Sequence, residues 1–146
     1  MTTAVDTSQI RDVIESRAAL LKTGDVRTIV SYYAPEVVEF SLAPPLQQPL
    51  DGRDPEPLER WIAGFEAPPT REVTQLQITA DGDVAFATSI DSIAATPKGM
   101  TEGFRLWYRV TLGLRHIDGH WLITHEHQSV PFEMDGSFRA SVDLNP

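Results

Sequence analysis

The sequence predicts an α+β fold, and three observations carry that expectation. Apolar residues recur at helical spacing through the first half of the chain, alternate with polar ones from Arg71 onward, and are interrupted in the second half by Asp81-Gly82 and Asp118-Gly119. Helices gathered at one end of a chain and strands at the other build a largely antiparallel sheet with helices on one face.

Ile10, Val13, Ile14, Arg17, Ala18 and Leu21 share one face of a first helix, behind the cap-competent Asp6, Thr7 and Ser8 and ahead of Gly24, where a helix end favours glycine. Asp25 caps a short second helix carrying Val26, Ile29, Val30 and Tyr33. Pro35 is expected to stop it, because proline disfavours the helical conformation in its predecessor. Residues 36–42 alternate weakly as a strand, and Pro44, Pro45, Pro49 and Asp51-Gly52 make an irregular excursion. Asp54 as N-cap and Pro55 at the first helical position open a third helix, with Glu56 and Glu59 near its positive end and Leu58, Trp61, Ile62 and Phe65 on one face.

From Arg71 the period is two. Asp81-Gly82 and Asp118-Gly119, taken as central pairs of two-residue turns, set which residues oppose each other. Ile78 then meets Ala85, Leu76 meets Ala87 and Thr74 meets Ser89. In the last hairpin Leu114 meets Ile123, Leu112 meets His125, Val110 meets His127 and Tyr108 meets Ser129, while the 97–100 loop brings Asp91 beside Leu106. One face is thus apolar and helix-covered. The other carries Phe86, Trp107, Arg109, Glu126 and Gln128 and has the character of a homodimer surface.

One domain spanning residues 1–146 is expected, since a chain with 41% hydrophobic positions can bury a core of its own. A net charge of −9 repels phosphate backbones and anionic lipid, which excludes nucleic acid and membrane as partners. Without cysteine there is no disulfide, thiol nucleophile or thiolate metal ligand. Residues 1–8 have neither a basic segment nor an apolar run, so a cytoplasmic protein is expected.

The covered face runs from apolar (Trp121, Leu114, Ile123, Leu112) to polar (His127, Ser129, Tyr108, Ser89, Asp91), with His125 between. Unpaired polar groups are costly to bury, so the polar end needs mutual hydrogen bonds or a cavity; Ala85, Ala87 and Ser89 are small enough to leave room for one. His125 and His127 project the same way, about 7 Å apart. Three readings stay open for them: general acid/base chemistry, a His-x-His metal site, or rings that pack against Tyr108, Ser129 or Asp91. No third ligand has convincing spacing, so no metal is expected. Asp91 is the only carboxylate that this register puts on the inner face of the middle strands, where burial would raise its pKa unless it ends its strand in solvent. Tyr32 and Tyr33 end the second helix with one hydroxyl turned inward, and Trp61 walls the same space. Arg109 and Glu126, diagonal on the outer face, read as a structural ion pair.

The element order, together with Tyr32-Tyr33-Ala34-Pro35-Glu36-Val37-Val38, Leu106-Trp107-Tyr108-Arg109-Val110-Thr111 and the segment from Asp118 to Pro131, resembles the SnoaL-like and ketosteroid-isomerase-like branch of the nuclear-transport-factor-2-like superfamily. The resemblance spans nearly the whole chain. It implies a curved sheet forming a cone around a hydrophobic pocket, and a homodimer through the outer sheet face. Ketosteroid isomerases use an Asp base with a Tyr and a protonated Asp as oxyanion donors. Ser41 stands where such relatives carry an acid, with Glu39 two residues earlier on the same face, which argues against authentic steroid isomerisation; Glu39 substitutes as base only under a different strand register. The expected function is binding of a small apolar carbonyl or polyketide-like molecule, with isomerase, cyclase or dehydratase proton transfer and no cofactor. His127, His125, Asp91 and Tyr108 are the catalytic candidates; Tyr32, Tyr33, Ser41, Trp61, Ser89 and Ser129 are the binding candidates. The alternative is a non-catalytic ligand-binding or dimerisation module of the same fold.

Overall fold

The first helix, α1 (Ser8–Leu20), forms where Ile10, Ile14 and Ala18 repeat every four residues, and these three with Arg17 are its buried residues. A 3-10 turn at Leu21–Thr23 ends on Gly24 at φ 74°, a left-handed conformation that glycine adopts without strain. In α2 (Val26–Val30), Asp25 caps the helix by accepting from the Thr28 amide at 3.2 Å. The computed structural model describes residues 6–49 and 51–146, so the expectation of no leader at residues 1–5 lies outside the described residues. Among the described residues no helix is long and apolar enough to cross a membrane.

Here the first departure from the sequence reading appears. Helix α2 stops at Val30, and Tyr33 and Pro35 belong to β1 (Tyr33–Phe40) rather than to a helix end. Proline is tolerated there because β1 is the outer strand of its sheet, bonded on one side only. After residues 41–49 and 51–55, which form no helix or strand, comes α3 (Glu56–Ile62), followed by β2 (Thr70–Asp81), β3 (Val84–Ala95), β4 (Phe104–Ile117) and β5 (His120–Ser129). The 41–55 segment is fastened at Gly52, whose amide donates to Pro35 O at 3.0 Å. A Cβ at Gly52 would lie 2.2 Å from Ala34 O, so only glycine fits this approach.

The sheet order is β1-β5-β4-β3-β2, with β1 parallel to β5 and every other pair antiparallel. The fold is α+β, with three helices packed against a curved, unclosed sheet. Ile10 and Ile14 of α1 pack on Leu112, Leu114 and Ile123 of the concave face. Helix α3 has no buried residue; its Leu58 and Trp61 face the space enclosed between sheet and helices.

Two bulges decide what the concave face carries. In β4–β5 the pairing Leu114↔Ile123 matches the sequence reading, but Gly113 then pairs with His125, leaving Thr124 unopposed. From there the register reads Leu112↔Glu126 and Val110↔Gln128, not Leu112 with His125 or Val110 with His127. A bulge residue inverts the side-chain parity beyond it. The β2–β3 turn centres on Gly82-Asp83 rather than Asp81-Gly82, giving Ile78↔Ala87, a shift of two that keeps the faces. A second bulge, where Gln75 takes φ 54°, separates Gln77↔Thr88 from Thr74↔Ile90 and turns Val73 and Arg71 inward.

Candidate active site

The inverted segments bring an arginine and a glutamate together. Arg71 Nε donates to Asp91 Oδ2 at 2.8 Å, and its Nη2 lies 2.8 Å from the same oxygen and 3.3 Å from Glu126 Oε2. Asp91 Oδ1 accepts from Ser89 Oγ at 2.7 Å. The Tyr33 hydroxyl donates to Glu126 Oε1 at 2.5 Å, and Gln128 Nε2 donates to Oε2 at 2.6 Å. Arg17, presented by the buried stripe of α1, brings Nη2 to 3.9 Å from Glu126 Oε1. The side chains of Arg17, Glu126 and Asp91 are each at most 2% exposed, and charges so far from water persist only when paired. Burial alone would raise the Glu126 carboxyl. The guanidinium charges of Arg17 and Arg71, with the hydrogen bonds from Tyr33 and Gln128, outweigh it and hold the group down at about 2.

Glu39 has the opposite fate. It sits across β1–β5 from Glu126, so both carboxylates point to the concave side. Burial, and next the negative charge of Glu126, push Glu39 up to about 7 against the pull of Arg71 and Arg17. Among the described residues its carboxylate has no hydrogen-bond donor, whereas Glu126 has three.

Between the helices, the 41–55 segment and the sheet lies a cavity of about 380 Å³. That is within the range of roughly 300–1,000 Å³ typical of small-molecule sites. Arg17, Arg71, Glu126 and Gln128 form its buried polar floor, with Glu39 on the wall. Leu21, Ile29, Val30, Val37 and Leu58 supply apolar surface, and the half-exposed Trp61 stands at the rim.

Of the residues singled out from the sequence, Tyr33, Ser41 and Trp61 line this cavity. Ser89, Asp91 and Tyr108 are buried behind it: Asp91 is ion-paired with Arg71, whose guanidinium lies 5.7 Å from the Tyr108 ring centre. Burial raises the Tyr108 phenol to about 12, and its oxygen has no partner among the described residues. Tyr32 is half-buried and takes no part in the lining; its carbonyl accepts from the Ile123 amide.

Three placements are corrected. His125 and His127 lie on the convex face, because the Thr124 bulge inverts them: His125 Nδ1 is 2.7 Å from Val38 O, and both rings meet Phe40 edge-on at 5.2 and 5.3 Å. Ser129 is also convex, accepting from Arg109 Nε at 3.1 Å. Glu126 and Gln128 are inside, so the outer ion pair of Arg109 with Glu126 does not exist. Arg17, Arg71 and Glu126 were the residues sequence reasoning missed. Arg17 did leave a signal, a charged residue inside the apolar stripe of the first helix.

A family model described as SnoaL-like domain matches residues 10–133. The chain belongs to the SnoaL-like domain family. It is similar to an NTF2-like protein of unknown function from Pseudomonas putida, at 29% identity over 95% of both chains and a TM-score of 0.81. It also shares its fold with a protein named as a candidate scytalone dehydratase from Novosphingobium aromaticivorans, at 15% identity, 94% of this chain, 92% of that one and a TM-score of 0.74. A candidate dehydratase of the NTF2-like family from Streptomyces avermitilis, 16% identical over 88% of this chain and 97% of its own, gives the same TM-score of 0.74. No curated protein matches the chain.

Removing the charge of Glu126 leaves Arg17 and Arg71 short of a buried partner, so Glu126→Gln is expected to cost about 3–5 kcal/mol in urea unfolding. His127→Ala, on the exposed face, is expected to stay within about 0.5 kcal/mol. Equal costs would contradict the assigned faces. Glu39 should also leave a pH signature. Its folded pKa of about 7 lies above the ordinary 4.5, so the native state binds more protons than the unfolded chain in between. The stability Glu39 contributes is full below the unfolded value and lost as pH rises through 7. Denaturant midpoints from pH 5 to 7.5 should therefore decline more in the wild type than in Glu39→Gln; parallel profiles would contradict the shift.

Proposed function

We propose that this SnoaL-like protein is an enzyme that moves a proton on a small, largely apolar carbonyl compound without a cofactor, with Glu39 carrying the proton. The observation that supports this most directly is Glu39 itself: a carboxyl on the cavity wall, without a hydrogen-bond donor, pushed up to about 7. A group poised near neutrality both accepts and returns a proton at physiological pH. In the proposed step, the Glu39 carboxylate takes hydrogen from the carbon beside the carbonyl. The C–H pair becomes the new C=C bond, and the carbonyl π pair moves onto oxygen. Arg71, whose Nη1 has no partner among the described residues, faces the negative charge that develops there. Return of the proton to another carbon completes an isomerisation; loss of a β-hydroxyl, which leaves as water with the proton from Glu39, completes a dehydration; attack of the enolate carbon on a second carbonyl of the same molecule, whose oxygen takes the electron pair and the proton, completes a cyclisation. The names of the two dehydratase candidates agree with this reaction class.

The reading moves the catalytic part from His125, His127, Asp91 and Tyr108 to Glu39. Its test is hydrogen exchange at the acidic carbon of cyclic ketones and β-diketones in D2O, followed by NMR. Wild type is expected to accelerate exchange with a pH limb near 7, and Glu39→Gln is expected to lose at least about 100-fold, the usual weight of a general base. Full activity in Glu39→Gln would overturn the assignment.

A homodimer through the convex face is part of the same proposal. Register aligns Phe86, Gly113, His125 and Val38 across four strands of that face, and Val84 and Phe86 are 57% and 53% exposed. Light scattering should show a dimer for the wild type and a monomer for Phe86→Glu; a monomeric wild type would sink this part.

A further inference from the structure

Beside the cavity lies a second, more open depression of about 240 Å³, lined by Arg27, Val30 and Ser31 at the end of α2 and by Arg53 and Pro55 ahead of α3. The two spaces adjoin. Val30 lines both, and Arg53 stands between Gly52 and Asp54, which line the cavity. The chain carries 21 acidic against 12 basic side chains, yet neither Arg27 nor Arg53 is ion-paired among the described residues. The acids near them in sequence are engaged elsewhere. Asp25 accepts from the Thr28 amide and hydroxyl at 3.2 and 2.7 Å, Asp51 from the Arg53 amide at 2.8 Å and Asp54 from the Glu56 amide at 3.0 Å, while Glu56 pairs with Arg60 at 2.5 Å. Arg53 Nε donates to Tyr33 O, which anchors that side chain and leaves both of its Nη groups without a partner among the described residues. Both arginines are exposed, so a ligand can reach them. Two positive charges bordering one hollow repel each other unless an anion lies between them.

We propose that this depression is an anion subsite for the ligand of the cavity. The substrate is a carbonyl compound with a carboxylate or phosphate on an extension, its carbonyl end inside the cavity and its charged end between Arg27 and Arg53. The inference rests on reading the cavity as the carbonyl site and adds the anionic extension. A guanidinium suits either end group, since its planar fork of N–H donors matches two oxygens of a carboxylate or a phosphate. Ser31 adds no donor, because its hydroxyl is spent on Thr28 O at 2.5 Å. The charges of the cavity then orient the ligand. Glu39, Asp51, Asp54 and Glu126 line it against Arg17 and Arg71, so a negative end is opposed there and drawn to the depression, which is lined by two arginines and no acid. The neutral carbonyl end is left to face Glu39.

Calorimetric titration of the wild-type protein tests this with cyclic ketones bearing an alkyl chain that ends in a carboxylate, in a phosphate or in the methyl ester of the carboxylate; inorganic phosphate is a further probe. At least one anionic ketone should bind about tenfold more tightly than the ester, and the larger gain identifies the end group. The preference should shrink in about 0.5 M salt, because exposed charges are screened. Arg27→Gln should bring that anion to within about twofold of the ester, whereas Arg115→Gln, which deletes the same charge from an exposed position on β4, should keep the preference. Equal losses in the two variants would make the preference an effect of net charge and overturn the subsite. Anions and ester binding alike would overturn it too, as would inorganic phosphate binding without any preference among the ketones. Hydrogen exchange of the ester in D2O, followed on the wild type alongside, reads the proton transfer separately: exchange without an anion preference leaves that reading standing, and a preference without exchange leaves the subsite standing. No probe bound would overturn both.

Discussion

The ion pair between Arg71 and Glu126 is the constraint from which the rest of the concave face follows. Both groups are nearly out of water, where an isolated charge costs several kcal/mol and a hydrogen-bonded pair is tolerated. Each reaches that face only through a one-residue bulge, at Gln75 in β2 and near Thr124 in β5. Either bulge alone would break this pair, leaving Arg71 with Asp91 only or Glu126 with the more distant Arg17 only. The two irregularities lie on the two strands flanking the central pair and are meaningful only together, the bent strands re-aiming their side chains toward one place.

Around that pair, two neighbouring carboxylates are driven to opposite states. Glu126 and Glu39 oppose each other across β1 and β5, yet Glu126 receives hydrogen bonds from Tyr33, Gln128 and Arg71 while Glu39 receives none. The charge that satisfies the floor is the charge that hinders ionisation of its neighbour. Pushing the pKa values of adjacent acids apart is how a protein obtains one fixed charge and one proton carrier from the same chemical group.

How much of this could be read from the chain divides at the bulges. The element order, the Gly24 helix end, the Asp118-Gly119 turn with φ values of 51° and 84°, and the Leu114↔Ile123 pairing all follow from local chemistry. Pro35 misled because the edge position of β1 is a tertiary fact. Beyond Ile123 the segment Thr124-His125-Glu126-His127-Gln128-Ser129 holds no apolar residue, so either parity looks equally polar. The extra residues themselves, Thr124 and Gln75, are neither glycine nor proline; Gly113 stands across from the β5 bulge, but a glycine inside a strand does not say which strand bulges or where the parity turns. Tyr33, Ser41 and Trp61 could be placed on the cavity side without that information, whereas Glu126 could not.

The same absence of apolar residues shows what the buried charges do for the fold. Where one face of a strand is hydrophobic, a slip of one residue is prevented by the apolar side chains it would expose. The last six residues of β5 have no such protection. Their register is held because a slip would carry Glu126 and Gln128 to the convex face and leave Arg17 buried without a counter-charge, with Arg71 keeping only Asp91. Buried ion pairs add little to net stability but can fix a unique arrangement, and here they act where hydrophobic patterning is silent. Asp91 and Ser89 extend the lock into β3, and Tyr33 extends it into β1. Locking consumes the donor edge of Arg71 but not that of Arg17, which gives Glu126 its charge without giving it a hydrogen bond.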